Sequence, residues 1–312
     1  MTEVPFRHVA LIGLGLIASS IAHALRRVGF GGEIVGTARS AETRGIARDL
    51  GYCTHVADTA QEAVTGADLI ILCTPVGAMA AVTQAIAPHL QPGAVISDVG
   101  SVKAAVIAEV APHLPPGVFF VPGHPLAGTE QSGPASGFAH LFDNRWCILT
   151  PPAATPSDEV DRVAAFWRAL GANVDLMEPD HHDLVLAVTS HTPHLIAYTM
   201  VGVADDLGRV TSSEVVNYSA AGFRDFTRIA ASDPTMWRDV FLTNKTATLE
   251  ILGRFTEELF ALQRAIRTGD GDALHAYFTR TRAIRRGIID AGQDTDQADF
   301  GRAKPLGQDP AE

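Results

Sequence analysis

A chain of 312 residues that is 46% hydrophobic and 19% charged has the make-up of a globular protein with enough apolar content for two domains. Its formal net charge of -11 argues against nucleic acid or an anionic membrane surface as partner, so an anionic small molecule has to be drawn in by local arginines. Three scattered cysteines, Cys53, Cys73 and Cys147, suit a reducing compartment and give neither a disulfide framework nor a zinc signature; with no basic-then-apolar leader and no run expected to span a bilayer, the chain is placed in the cytoplasm.

Residues 8–12 read as a short apolar strand running into Gly13-Leu-Gly15-Leu16-Ile17-Ala18, after which residues 19–28 carry helical periodicity up to Gly29. In such a strand, turn and helix, Gly13 allows the tight turn, Gly15 lets a pyrophosphate approach the backbone, and small Ala18 lets helix and strand pack closely. Leu16 and Ile17 open the helix beside the same phosphate position. A second strand at 33–37 and a helix at 42–50 closed by Gly51 complete a βαβ unit, so dinucleotide binding is expected. That strand ends in Thr37-Ala38-Arg39-Ser40, with no carboxylate for the ribose hydroxyls. Arg39 there can take a 2′-phosphate or stack on an adenine, which leaves NAD and NADP both open.

Residues 68–75 form a continuous apolar run, the mark of a central parallel strand. Its carboxyl end adds Thr74 and Pro75 to the cofactor contacts, while Cys73 reads as core. A strand at 94–98 follows, and its end opens a helix at Ser101. That hydroxyl can cap its own helix, or face a nicotinamide and bond His124, and the two roles are compatible. The strand beginning at Phe119 then delivers residues 121–133, the stretch where chemistry is expected. His124 is its centre, set on irregular backbone between Gly123 and Pro125. Taken alone, it reads rather as a surface-loop imidazole that titrates and does nothing, and the rest of the chain reverses that. A strand at 145–150, a helix over 157–170 capped by Ser157, and a strand at 173–177 close the first domain, residues 1–178.

From residue 179 every signal is helical, giving a second domain at 179–290 and a polar, aperiodic tail at 291–312 that is expected to be flexible. The helix from Asp180 reaches Ser190-His191-Thr-Pro193-His194, where proline should kink it. His191 and His194 lie three apart on one face. Zinc helices use a spacing of four with a nearby carboxylate or cysteine, so substrate contact or a satisfied polar pair is expected and metal is not. Residues 221–237 hold Arg224, Asp225 and Arg228, and two arginines four apart share a helix face suited to a carboxylate, or simply to solvent. A single long helix at 234–268 and another opened by Asp272 carry apolar stripes (Leu249, Leu252, Leu259, Leu262 and Ile266; Leu274, Tyr277, Phe278, Ile284 and Ile288). They offer more packing surface than one small domain needs, so a helical dimer interface is expected.

In chain order, Gly13-Leu-Gly-Leu-Ile-Ala18, Asp98-Val-Gly-Ser-Val-Lys103, Gly123-His-Pro-Leu-Ala-Gly-Thr129, Ser190-His-Thr-Pro-His194 and Gly222-Phe-Arg-Asp-Phe-Thr-Arg228 resemble the prephenate/arogenate (cyclohexadienyl) dehydrogenase family of tyrosine biosynthesis, over roughly residues 8–290. The resemblance implies an α/β Rossmann-type N-terminal domain and an all-α C-terminal dimerisation domain. It further implies NAD(P)-dependent oxidative decarboxylation of a dianionic cyclohexadienol by a homodimer. His124 is then the catalytic histidine and Ser101 the residue that positions it. Arg228 holds a substrate carboxylate, Thr129, His194 and Trp237 surround the side-chain end with His191 nearby, and Arg224, Asp225 and Glu130 stand at the pocket mouth. Two other readings remain open: a β-hydroxyacid dehydrogenase, for which Lys245 is the sole lysine in the helical half, and a non-catalytic nicotinamide-binding sensor.

Overall fold

The computed structural model describes residues 4–208 and 220–290; the tail expected at 291–312 lies outside them. The chain forms two compact units, Met1–Ile251 and Leu252–Glu312. The first is built on a six-stranded parallel sheet of β1 (His8–Ile12), β2 (Glu33–Thr37), β3 (His55–Val56), β4 (Leu69–Leu72), β5 (Val95–Asp98) and β6 (Phe119–Phe120), in the order β3-β2-β1-β4-β5-β6. Helices α1 (Leu16–Arg27), α2 (Ala41–Leu50), α3 (Ala60–Val64), α4 (Met79–Ile86) and α5 (Ala104–Val110) connect the strands. This is the doubly wound, Rossmann-like arrangement, and the strand order reverses between β1 and β4. A crevice opens there at the carboxyl ends, where Gly13 and Thr74 lie.

The apolar run in β4 is buried along its whole length. Leu69 and Ile71 join Leu11, Ile21 and Leu25 in one core, whereas Ile70 and Leu72 join Ala10, Ile86 and Val106 in the other. Alternation along a strand thus fills both faces, and each fully buried leucine or isoleucine contributes roughly 1.5–3 kcal/mol.

The chain does not simply continue past β6. Residues 123–125 form β7 (Gly123–Pro125), which pairs antiparallel with β8 (Trp146–Leu149), and β8 pairs parallel with β9 (Asn173–Leu176) in a separate small sheet. His124 therefore sits opposite Ile148 in a ladder, rather than on the irregular loop expected from its glycine and proline neighbours. Between β8 and β9, α6 (Ser157–Ala169) buries Val163, Phe166 and Trp167. Ser157 is its first residue and makes no cap; Asp158 and Glu159 face the positive helix end instead.

The helical half opens with α7 (Pro179–Leu186), widens into a π turn at Ala187–His191, and resumes as α8 (Thr192–Gly208). Pro193 has no N–H for the Thr189 carbonyl, so the irregularity falls just before it, as a widened turn. By length and composition the run Pro179–Asp206 is apolar enough to cross a bilayer, contrary to the expectation that no segment would be. Its buried face nevertheless carries His182, Asp183 and His191, whose hydrogen-bond partners are protein groups. After α9 (Ala221–Thr227) and a 3-10 turn at Arg228–Ala231, the expected single long helix is two: α10 (Pro234–Thr243) and α11 (Lys245–Thr268). They break at Asn244, whose φ of -101° and ψ of 40° turn its amide into the site described below. The last helix, α12 (Gly271–Asp290), is capped by Asp270, which accepts from Ala273 N at 3.0 Å, and not by Asp272. Leu249, Phe255, Leu259, Phe260, Ile266, Phe278, Ile284 and Ile288 on the last two helices are exposed in the single chain.

Candidate active site

At the crevice, Gly13 has φ of +103° and its N–H bonds Thr37 O at 2.9 Å, tying the turn to the neighbouring strand. A Cβ there would stand 2.8 Å from the Cys73 carbonyl, so only glycine fits. Gly15 caps α1, and a Cβ on it would meet no atom within 4 Å, leaving open space in front of a positive helix end. Leu16 and Ile17 follow in the first turn, half-buried, and the Thr74 hydroxyl at the end of β4 is buried without a partner. Pro75 precedes a 3-10 turn at Val76–Ala78. An open phosphate position at the start of α1 and an orphaned hydroxyl fit a dinucleotide. At the far side of β2, the exposed Arg39 side chain makes no hydrogen bond or ion pair among the described residues. Its neighbours Arg44 and Arg48 are both engaged with Asp58.

His124 is 7% exposed. Its strand is held from below by a buried ion pair that sequence reasoning did not assign: Lys103 Nζ bonds the Asp98 carboxylate and also donates to Gly123 O at 2.8 Å. Asp98 accepts in addition from Gly100 N at 2.7 Å and Gly123 N at 3.2 Å. A Cβ on Gly123 would press to 3.2 Å from Asp98 O, so a side chain there would crowd the strand. Burial pushes the Asp98 carboxyl above its ordinary range and the Lys103 ammonium below its own, each against the pull of the other.

The hydrogen bond of His124 Nδ1 goes to His182 Nε2 at 2.9 Å, and not to Ser101. His182 Nδ1 in turn meets Asp183 Oδ1 at 2.8 Å. Asp183 also caps α5, accepting from Lys103 N at 2.8 Å and Ala104 N at 3.0 Å, so the cap expected from Ser101 comes from a residue 80 positions beyond Lys103. Ser101 itself is half-buried beside β5, its main chain against His191. Asn244 donates to Asp183 O at 2.8 Å and lies 3.0 Å from His191 Nδ1. Burial, then the facing His182, Lys103 and His191, holds the His124 imidazole well below 6.5, so it is neutral at pH 7. Burial likewise pushes His191 down to about 4, opposed by the Asp183 carboxylate.

Outward from His191 the remaining expected residues connect. His191 meets the Trp237 ring edge-on at 6.1 Å, and His194 stacks on the same indole at 3.7 Å. Burial lowers the His194 pKa, its bond to Ser190 O opposes that, and the nearby Arg228 guanidinium lowers it further. Arg228 pairs with Glu130 at 3.0 Å, next to half-buried Thr129. Arg224 and Asp225 are exposed on α9, one turn before Arg228. Among the described residues, His191 Nε2 and Trp237 Nε1 are buried without hydrogen-bond partners. The structure thus brings His124, His191, His194, Trp237, Arg228, Glu130 and Thr129 into one connected group. It adds Asp98 and Lys103, which bound one of the motifs quoted above but carried no role there, and His182, Asp183 and Asn244, whose sequence signal is a polar residue at a position that an apolar helix buries.

The profile of the prephenate dehydrogenase nucleotide-binding domain matches residues 21–176, and that of the prephenate dehydrogenase dimerization domain matches residues 178–280. Cyclohexadienyl dehydrogenase of Zymomonas mobilis is 43% identical over 280 residues, which cover 90% of this chain and 95% of that protein. Among solved structures, prephenate dehydrogenase from Aquifex aeolicus in complex with hydroxyphenyl propionate and NAD+ superposes with a TM-score of 0.84 at 32% identity, covering 90% of this chain and 98% of that one. Synechocystis arogenate dehydrogenase follows with a TM-score of 0.73 at 27% identity, over 90% and 99% of the two chains.

Proposed function

The chain belongs to the prephenate dehydrogenase family, and from that premise we propose that it oxidatively decarboxylates prephenate, arogenate or both to an aromatic product of tyrosine biosynthesis, with His124 as the base. A bound nicotinamide dinucleotide supplies the hydride acceptor. The observation that carries the assignment is a neutral, buried imidazole whose Nδ1 is already engaged. Near pH 7 such a ring accepts a proton, and the substrate offers one on its 4-hydroxyl. Loss of the ring carboxylate as carbon dioxide then aromatises the ring and drives the reaction forward. Arg228 takes a substrate carboxylate in exchange for Glu130, while Trp237, His194 and Thr129 border the side-chain end, with Arg224 and Asp225 at the mouth. Ser101, at the carboxyl end of β5, is assigned to the nicotinamide side of the same site. The exposed apolar stripes of α11 and α12 match what a homodimer would bury.

The test follows reduced-nicotinamide absorbance with prephenate and arogenate, each crossed with NAD and NADP. Reduction is expected in at least one combination, with turnover falling by about 10² or more in His124→Asn while cofactor affinity is retained. Near-normal turnover in that variant removes His124 as the base. No reduction in any combination removes the activity.

A further inference from the structure

A histidine serves as a base only through a bare nitrogen, and which of its two nitrogens is bare is decided by what the other one bonds. The hydrogen-bond chain behind His124 settles this from its far end. Asp183 accepts two backbone N–H groups at the start of α5, Lys103 N and Ala104 N, which fixes its carboxylate in place beside a positive helix end. A carboxylate held in that way only accepts. The bond at 2.8 Å therefore carries its proton on His182 Nδ1. His182 is fully buried, and desolvation opposes a second proton on it more than Asp183 favours one, so its Nε2 is bare. An acceptor at Nε2, 2.9 Å from His124 Nδ1, requires the proton on that Nδ1. His124 Nε2 is then bare, and it makes no hydrogen bond among the described residues.

We propose that His182 and Asp183 are positioning residues for His124: Asp183 fixes the tautomer of His182, His182 fixes that of His124, and Nε2 is the atom that receives the substrate proton. This rests on the assignment of His124 as the base. The same chain serves the charged state, because when Nε2 takes the proton the His124 imidazolium keeps its Nδ1–H on His182, itself anchored on an anion. The division of labour is that of a serine-protease triad, with a second imidazole inserted between base and carboxylate. No proton need leave His124 Nδ1.

The first test is spectroscopic. Nitrogen-15 shifts of the histidine side chains in the full chain at neutral pH, assigned with His124→Asn and His182→Gln, are expected to give a protonated Nδ1 and a bare Nε2 for both rings. A bare Nδ1 on His124 overturns the proposal. The second test is kinetic. His182→Met, which can neither accept from His124 nor donate to Asp183, and Asp183→Asn, whose amide can turn a donor towards His182 and reverse both tautomers, are each expected to lower kcat by about 10² or more with KM little changed. His182→Gln, whose amide offers an acceptor and a donor about as far apart as the two ring nitrogens, is expected to return most of that loss. Unchanged kcat in His182→Met and Asp183→Asn, alongside loss in His124→Asn, overturns the positioning role alone. Near-normal turnover in His124→Asn overturns instead the function on which it rests. If Asp183→Asn fails to fold, through loss of its cap on α5, the spectra of the unsubstituted protein still decide.

Discussion

Lys103→Met should be costly for stability in a way that depends on pH. Lys103 and Asp98 are both fully buried, so the substitution keeps the aliphatic volume but leaves a carboxylate with no countercharge. Asp98 retains its bonds from Gly100 N and Gly123 N, whereas Gly123 O loses its donor. Removing one partner of a buried pair costs about 3–5 kcal/mol. A ceiling applies, since Asp98 can escape by binding a proton. From its ordinary 3.8 that costs about 4 kcal/mol at pH 7, at roughly 1.4 kcal/mol per pH unit. The expected loss is therefore about 3–4 kcal/mol at pH 7. With the folded pKa of Asp98 raised, the folded state binds more protons than the unfolded one, so stability falls as pH rises above about 4. The penalty should accordingly shrink by up to about 1.4 kcal/mol for each unit from pH 7 towards pH 5. Urea unfolding followed by tryptophan fluorescence, at fixed protein concentration and without cofactor, measures it at each pH. In Lys103→Met combined with Asp98→Asn the loss relative to the unsubstituted protein should be the same at pH 7 and pH 5. A loss below about 1 kcal/mol, or one that does not vary with pH, would refute the buried-pair reasoning.

Acid should destabilise the unsubstituted protein through its buried histidines. His191 falls from its ordinary 6.5 to about 4, so its contribution is fully present above pH 6.5 and is lost as pH falls towards 4; about 3 kcal/mol is at stake, and unfolding midpoints that stay flat across this window would contradict it. Arg228→Ala should leave stability nearly unchanged, because its pair with Glu130 is 44% exposed on the arginine side, yet raise KM by about 10-fold or more through loss of a charge-assisted contact. An unchanged KM would take Arg228 out of the carboxylate site. Arg39→Asp should shift the ratio of kcat/KM for NADP over NAD downwards by about 10-fold or more, and an unmoved ratio would mean that the guanidinium does not meet the 2′-phosphate.

The parts of the fold legible in the sequence are those whose physics is local. Gly13 announces a turn because its own backbone must adopt it, and the apolar run of β4 announces a central strand because burial on both faces leaves no polar alternation. The fold class and the crevice follow from these. Ser101 and Ser157 were reasonable caps by the same local logic, and both were displaced. Asp183 reaches the start of α5 from another helix, and acidic residues in the first turn serve α6. Local propensity ranks candidates for a cap but does not see a competitor on a distant helix.

The same limit governs the site. His124 could be singled out from its neighbours in sequence, but the atom on which its chemistry turns depends on His182, 58 residues further on, and on a carboxylate beside it. Asn244 breaks what periodicity alone makes one long helix, because its amide bonds Asp183 O and meets His191. Lys103 looks like an ordinary helix-start lysine until Asp98 and Gly123 O are found around its ammonium. In each case a polar side chain occupies a position that an apolar strand or helix would bury without cost, and the desolvation penalty is offset only by a partner distant in sequence. Such positions are visible in a sequence as local inconsistencies, and here they mark the support of the base rather than the base itself.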